Sequence, residues 1–223
     1  MKKIITLILL SSFVVATFGY TTTDIAGANY LASKRIIKDW SGEPKNYRFD
    51  DYIARSEIMG MAIAMAGITR NTHCRGDFID VPKSDTDWVC RTVETAADNG
   101  FINARPDGMK TRPYGNITRA EALAILTKNV LDPRDMWAGY SYYWSSSLPD
   151  DDSTTGYKDI YNFGAEWQAS IFYDYIRKVV QNDDVLRIDP RANAIATREE
   201  VFEFAKNIMD YKEKQAQNNA LAK

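Results

Sequence analysis

The chain has 223 residues, with 28 Lys and Arg against 30 Asp and Glu, and its 45% hydrophobic content excludes a wholly disordered protein. A formal net charge of −2 gives no broad basic surface, so no nucleic-acid partner is predicted. A single His and two Cys argue against a multi-ligand zinc site or a His-centred catalytic apparatus, and no cofactor or metal is predicted.

The first segment has the pattern of a secretory signal peptide. Two lysines precede an apolar run at residues 4–16, and small residues follow it. The run is shorter than the roughly 20 residues that a spanning helix needs. We expect residues 1–19 to be removed after Gly19, with Ala16 as the alternative site, and an uncleaved anchor as the competing interpretation. The mature protein is then secreted to the cell envelope, with a formal charge of −4 and no membrane span.

Three landmarks recur along the chain in constant register. Asp80 and Asp159 each lie in a short segment that opens with an aromatic residue, and Trp88 and Trp167 follow them by eight positions. The Arg of a Thr-Arg-x-Glu step follows each Trp by 31 positions. A weaker copy near the N-terminus keeps its Arg as Arg55 but lacks the opening motif and the Trp. The chain therefore contains internal repeats.

Each repeat is predicted to be a helix, a loop and a second helix. Apolar residues recur at helical spacing, and Gly and Pro interrupt them. Because one helix pair buries too little surface, we predict an all-α fold in which the repeats pack as a pseudo-threefold bundle. The predicted repeats cover about residues 24–70, 78–131 and 157–211, with an insert at 132–156 and a polar C-terminal tail at 212–223.

Cys74 and Cys90, which lie 16 residues apart, are a disulfide candidate in an exported protein. Closing such a loop would stabilise the fold by about 3 kcal/mol. Two separate buried thiols are the alternative.

The insert between the second and third repeats is rich in aromatic residues. Exposed aromatic side chains can stack on sugar rings or enter protein interfaces, although such a segment can also pack back on its own domain. The candidate contacts for other envelope proteins are Trp137, Tyr140, Tyr142, Tyr143 and Trp144.

The Thr-Arg-x-Glu step has a structural and a binding interpretation. Its Thr and Glu have the spacing of a capping box. Its Arg recurs as Arg55, Arg119 and Arg198 at the first helical position, where the helix dipole disfavours a cation. Beside a helix N-terminus, a guanidinium offers bidentate donors to a carboxylate or phosphate. The alternative is an Arg that pairs with a neighbouring carboxylate, such as Asp80 or Asp159.

On these motifs the chain resembles the S-layer homology domain family over about residues 24–211. Repeat 2 carries the resemblance through Phe-Ile-Asp-Val at 78–81, Trp88, Asn-Gly-Phe-Ile at 99–102, Pro113 and Ile-Thr-Arg-Ala-Glu-Ala at 117–122. Repeat 3 keeps Tyr-Lys-Asp-Ile at 157–160, Trp167 and Thr-Arg-Glu-Glu at 197–200.

The resemblance implies a non-catalytic protein that attaches to the bacterial cell wall. Such domains recognise secondary cell-wall polysaccharide, often through a terminal sugar that bears a pyruvate ketal. The binding Arg of the family falls on Arg119 and Arg198, and less closely on Arg55. The other candidate ligand-binding residues are Trp88, Trp167, Asp80 and Asp159.

Repeat 1 departs from the family pattern, because it lacks the opening motif and has Ala54 in place of the cap Thr. Its binding surface is therefore expected to be distorted or empty. The family usually anchors a larger domain, which this sequence does not reveal. The alternative function is a secreted helical protein-interaction or envelope-assembly protein that uses the aromatic insert. No motif singles out a pair of carboxylates for catalysis, so an enzyme is not predicted.

Overall fold

The computed structural model describes residues 22–84, 87–102, 110–128, 130–131, 179 and 194–221. The predicted signal segment, the whole insert and most of repeat 3 before its second helix lie outside these residues. The predicted site residues that fall there are Asp159, Trp167, Trp137, Tyr140, Tyr142, Tyr143 and Trp144.

Five α-helices and no strand lie within the described residues, which confirms the all-α prediction. A short 3-10 helix at Pro44–Tyr47 lies between the first two α-helices. In chain order the α-helices are α1 (Thr22–Ser33), α2 (Arg55–Met65), α3 (Trp88–Asp98), α4 (Arg119–Thr127) and α5 (Arg198–Leu221).

The second helix of each repeat begins at the Arg of its Thr-Arg-x-Glu step, because the preceding residue caps the helix. At α4, Thr118 Oγ1 accepts from Glu121 N at 3.2 Å, and Glu121 Oε2 accepts from Thr118 N at 3.2 Å. The same exchange between Thr197 and Glu200 starts α5. Both are capping boxes of the expected kind.

The corresponding box in repeat 1 is half formed. Glu57 Oε2 accepts from Ala54 N at 3.0 Å, but Ala54 has no side-chain oxygen to return the hydrogen bond. Helix α2 therefore starts without the N-cap acceptor that the other two second helices have.

Three short segments before the second helices meet around a pseudo-threefold axis. They form antiparallel bridges at Tyr52–Thr197, Ala54–Asn116 and Thr118–Ile195. Each bridge joins the residue before one helix to the residue three positions before the Arg of another repeat, so the bridges close a ring. Ile53, Ile117 and Ala196 occupy the matching position in the three repeats, and all are 0% exposed.

Helices α2, α4 and α5 pack on one another in the centre of the bundle, and the first helix of a repeat packs on the second helix of the repeat before it. We call the contact of α3 with α2 the first junction, and the contact of α1 with α5 the third junction. The residues of repeat 3 that would form a second junction with repeat 2 lie outside the described part of the chain. The buried core includes Leu31, Met59, Leu123, Leu126 and Ile208.

Helix α5 continues through the predicted tail as far as residue 221. The start of this extension packs on the bundle: Lys212 Nζ donates to Met65 O at 2.9 Å, and Glu213 accepts from Lys34 Nζ at 2.7 Å. Among the helices described here, none has the length and apolar character needed to cross a membrane.

Candidate functional site

The Arg of every Thr-Arg-x-Glu step forms an ion pair with the Glu of another repeat. The pairs run from repeat 1 to 2, from 2 to 3 and from 3 back to 1, so they form a closed ring. We call this the Arg–Glu ring, which consists of Arg55 Nη1–Glu121 Oε1 at 3.3 Å, Arg119 Nε–Glu200 Oε1 at 3.3 Å and Arg198 Nη1–Glu57 Oε1.

Each Glu of the ring has two roles at once. At Glu121, Oε2 caps the helix of its own repeat, and Oε1 pairs with Arg55 of the repeat before it. The Thr-Arg-x-Glu step therefore both starts a helix and joins that helix to the neighbouring repeat. The sequence interpretation named Asp80 and Asp159 as internal partners and did not consider this Glu. The joint recurrence of Arg and Glu in all three repeats was the available signal.

The three ring arginines differ in accessibility. The Arg119 side chain is 6% exposed, against 19% for Arg55 and 17% for Arg198. Arg198 is further held by a hydrogen bond of 2.8 Å from its Nε to Tyr47 O. Arg119 is thus committed to the contact between repeats, because burial and Glu200 leave little of it for a ligand.

Asp80 holds the loop that precedes α4. It accepts from Thr111 N at 3.1 Å and from Arg112 N at 2.7 Å. Burial alone would raise the pKa of this carboxyl, but these backbone donors lower it. Arg112 adopts a φ of 50°, an unusual conformation for a side chain that precedes Pro113. Asp80 therefore acts on loop shape and does not contact the ring.

Trp88 lies at the surface of the first junction, where it begins α3. Trp88 is 41% exposed. The residue before it, Asp87, caps α3 by accepting from Val89 N at 2.8 Å. The Trp88 indole approaches α2 at Gly60, where an added Cβ would lie 3.8 Å from Trp88 Cζ3. The Arg70 guanidinium lies 5.9 Å from the centre of the indole. An exposed indole and a cation thus share this surface.

A disulfide fixes the loop beside the first junction. Cys74 and Cys90 are joined with a Cα–Cα distance of 5.7 Å. Glu94, which is fully buried, accepts the backbone N–H groups of residues 75–77 at 2.7 to 3.2 Å. Among the described residues, Cys74, Cys90 and Glu94 are the one group of possible metal ligands that lie close together. The disulfide occupies both sulfurs, so they are not free to bind a metal ion. The arrangement is a structural clamp.

The third junction has a different surface. Asp24 lies in the first turn of α1, 31 positions before Arg55, and therefore corresponds to Trp88, which lies 31 positions before Arg119. Burial, followed by the charges of Asp24 and Asp50, raises the pKa of Glu199. Burial likewise raises the pKa of Glu203, with Asp24 adding to the effect and Arg119 opposing it. Carboxylates therefore cluster around Asp24, where the first junction has Trp88, whereas Lys206 lies beside Gly27 further along the third junction.

Comparison with known proteins agrees with the repeat motifs. The model of the S-layer homology domain matches residues 77–123. The amylopullulanase of Thermoanaerobacterium thermosulfurigenes is 38% identical over 90 residues, which are 38% of this chain and 5% of that protein. Exoglucanase XynX of Acetivibrio thermocellus is 34% identical over 88 residues, which are 38% of this chain and 8% of that protein.

The chain therefore spans less than a tenth of the length of these two relatives. The matched segment contains Asp80, which holds the loop before α4, Trp88 at the first junction, and Arg119 of the Arg–Glu ring. The similarity to the S-layer homology domain in this comparison thus falls on the second repeat, at residues 77–123.

Proposed function

We propose that the protein is exported and attaches non-covalently to secondary cell-wall polysaccharide at the surfaces between its repeats. The observation that carries this proposal is Trp88, an indole that stays 41% exposed at the first junction. An exposed indole beside the Arg70 guanidinium suits a sugar ring that carries negative charge. The sugar can stack on the indole while the guanidinium attracts the negative charge.

The pyruvate carboxylate of a ketal-bearing sugar is the anion that we propose for the accessible ring arginines. Arg55 and Arg198 keep 19% and 17% of their side chains exposed. At Arg55 a ligand would share the guanidinium with Glu121, which also lies 3.8 Å from Arg112 Nη2. Two cations around one carboxylate leave a positive excess for the ligand. In this proposal Arg119 contributes through packing, and Trp167, which has the sequence position of Trp88 in repeat 3, is its counterpart.

Binding to wall sacculi tests the proposal. We expect the mature protein to sediment with native sacculi and not with sacculi stripped of their polysaccharide. Trp88→Ala should lower the bound fraction, because the stacking surface is lost. Leu221→Ala is the control, since Leu221 is an exposed apolar residue (87%) at the C-terminal end of α5. Equal sedimentation with both preparations would contradict the proposal and indicate a protein or peptidoglycan partner.

A further inference from the structure

We propose that the buried carboxylate of Glu94 protects the Cys74–Cys90 disulfide against reduction by thiols. Glu94 is a positioning residue in this proposal, because it holds the loop that carries one sulfur and places a negative charge beside the other. The proposal concerns the chemistry of the disulfide itself. It goes beyond the proposed function, since it requires no wall ligand and can fail or succeed without one.

Backbone donors hold the Glu94 side chain, which is 0% exposed. Its Oε1 accepts from Gly76 N at 2.7 Å and from Asp77 N at 3.2 Å, and both of its oxygens lie 2.9 Å from Arg75 N. The Arg75 guanidinium is paired elsewhere, with Asp77 and Asp98. Successive N–H groups of one loop therefore fix the position of this carboxylate.

The two sulfurs differ in their surroundings. Cys90 lies on α3, one turn before Glu94, and its Sγ is 3.6 Å from Glu94 Oε1. Cys74 lies in the loop between α2 and α3 and directly precedes the three residues whose N–H groups Glu94 accepts. The residues on either side of Cys74, His73 and Arg75, are exposed. An external thiolate can therefore approach Cys74 through this surface loop, and Cys90 is then the sulfur that leaves.

Reduction by a dithiol proceeds in two exchange steps. A thiolate of the reagent attacks Cys74 Sγ, the bond to Cys90 breaks, and its electron pair leaves on Cys90 Sγ as a thiolate. The second thiolate of the reagent then attacks the mixed disulfide, releases Cys74 as a thiolate and closes the reagent into a cyclic disulfide. Once both protein thiolates take up protons, the protein has gained two electrons and two protons, and the dithiol has lost them.

Glu94 opposes the first step and favours its reversal. The Cys90 thiolate forms beside a carboxylate in a buried site, where like charges repel each other strongly, and a thiolate of higher energy leaves more slowly. Glu94 also continues to hold residues 75–77 in the mixed disulfide, so Cys74 stays close to Cys90. Cys90 can then attack Cys74 again and expel the reagent, because the two groups are already positioned.

Reduction of the intact, folded protein by dithiothreitol, with trapping of the free thiols by a maleimide, tests this protection. We expect Glu94→Gln to speed reduction about tenfold, the size that corresponds to the loss of one charge-assisted contact. Asp98→Asn is the matched control, because Asp98 fastens the same loop through the exposed Arg75 side chain but lies two turns beyond Cys90 on α3. Its rate should stay within about twofold of the wild-type rate. A wild-type rate in Glu94→Gln, or an equal acceleration in Asp98→Asn, would overturn the proposal.

A second measurement separates the charge of Glu94 from a general loosening of the fold. Cys74→Ala leaves Cys90 as a single thiol, and the ultraviolet absorbance of its thiolate is followed as the pH rises. Adding Glu94→Gln should make the thiolate appear at a lower pH, because the neighbouring negative charge is gone. Circular dichroism over the same pH range checks that both proteins stay folded. Thiolate formation at the same pH in both proteins would show that the charge of Glu94 does not act on Cys90, and the proposal would be wrong.

Discussion

The first and third junctions join equivalent helices but differ in the side chains that they expose. At the first, α3 brings the exposed Trp88 against Gly60 of α2, and the Arg70 guanidinium lies 5.9 Å from the centre of the indole. At the third, α1 places Asp24 near the Glu199 carboxylate of α5, and Gly27 lies beside Lys206, with an added Cβ 3.6 Å from Lys206 Cδ. The pairing of an exposed indole with a guanidinium, which suits an anionic sugar, is therefore replaced at the Asp24 position by neighbouring carboxylates.

This difference separates architecture from recognition within one repeat. The Arg–Glu ring and the buried trio of Ile53, Ile117 and Ala196 keep their geometry in all three repeats. The outer face of the first helix, in contrast, changes from Trp88 to Asp24 without loss of packing. A repeat can therefore remain a structural member of the bundle after losing its binding surface.

The largest expected effect concerns the disulfide, which belongs to the first junction. Replacing Cys74 and Cys90 together by Ala should lower the free energy of unfolding by about 3 kcal/mol, because the 16-residue loop is no longer closed in the unfolded chain. Urea unfolding followed by circular dichroism measures the change. An unchanged midpoint would show that the buried Glu94 holds the loop without the disulfide.

The ring should respond unequally to the loss of its arginines. Arg119→Met should destabilise the protein by about 2 kcal/mol, because it leaves Glu200 without its buried partner. Arg55→Met should cost less than about 1 kcal/mol, since that pair is more exposed and Arg112 also lies near Glu121. Unfolding of both variants, with Glu200→Gln to complete a double-mutant cycle, provides the test. Equal losses would contradict the ranking by burial.

Much of this scaffold could be predicted from the sequence, because it depends on spacing. The constant separation of Asp80, Trp88 and Arg119 identified the repeat, and the Thr118–Glu121 spacing identified the cap. Both features are local, since a cap involves neighbours along one chain segment. The same reasoning found the half-formed cap at Ala54, which the structure shows directly.

The ring partners could not be read in the same way, because they join residues far apart in the sequence. Arg198 and Glu57 are separated by 141 positions, and closure of the threefold ring is what brings them together. Arg70 was also missed, since it lies in a loop that does not recur. Its proximity to Trp88 depends on how repeat 1 packs against repeat 2.

A missing cap makes repeat 1 a place where stability can be gained. Ala54→Thr should raise the free energy of unfolding by about 1 kcal/mol, because the new hydroxyl can accept from Glu57 N, as Thr118 accepts from Glu121 N, in place of the turn bond that Glu57 N donates to Ala54 O. Thr118→Ala should lower it by a similar amount in repeat 2. Thermal unfolding of both variants measures the pair. A loss of stability in Ala54→Thr would mean that its bridge to Asn116 excludes the larger side chain.

The smallest effect tests the acidic character of the third junction. Glu203→Gln should stabilise the protein slightly at neutral pH, because it removes a carboxylate that burial and Asp24 disfavour, and solvent screening at this exposed residue keeps the gain small. Arg119 opposes this gain by attracting the same carboxylate, and Glu200 adds to it. Chemical unfolding at a series of pH values compares the variant with the wild-type protein.

The pH dependence gives this comparison its sign. The raised pKa of Glu203 means that the folded chain takes up a proton at a higher pH than the unfolded chain, whose carboxyl has its ordinary value near 4.5. The wild-type penalty is therefore complete above the raised pKa and disappears as the pH falls through it towards 4.5. The advantage of Glu203→Gln should shrink over the same interval. Groups shared by both proteins, such as Asp80, cancel in the difference. An advantage that grew on acidification would show that Glu203 is held by Arg119 as a stabilising anion, and the contrast between the two junctions would lose its electrostatic basis.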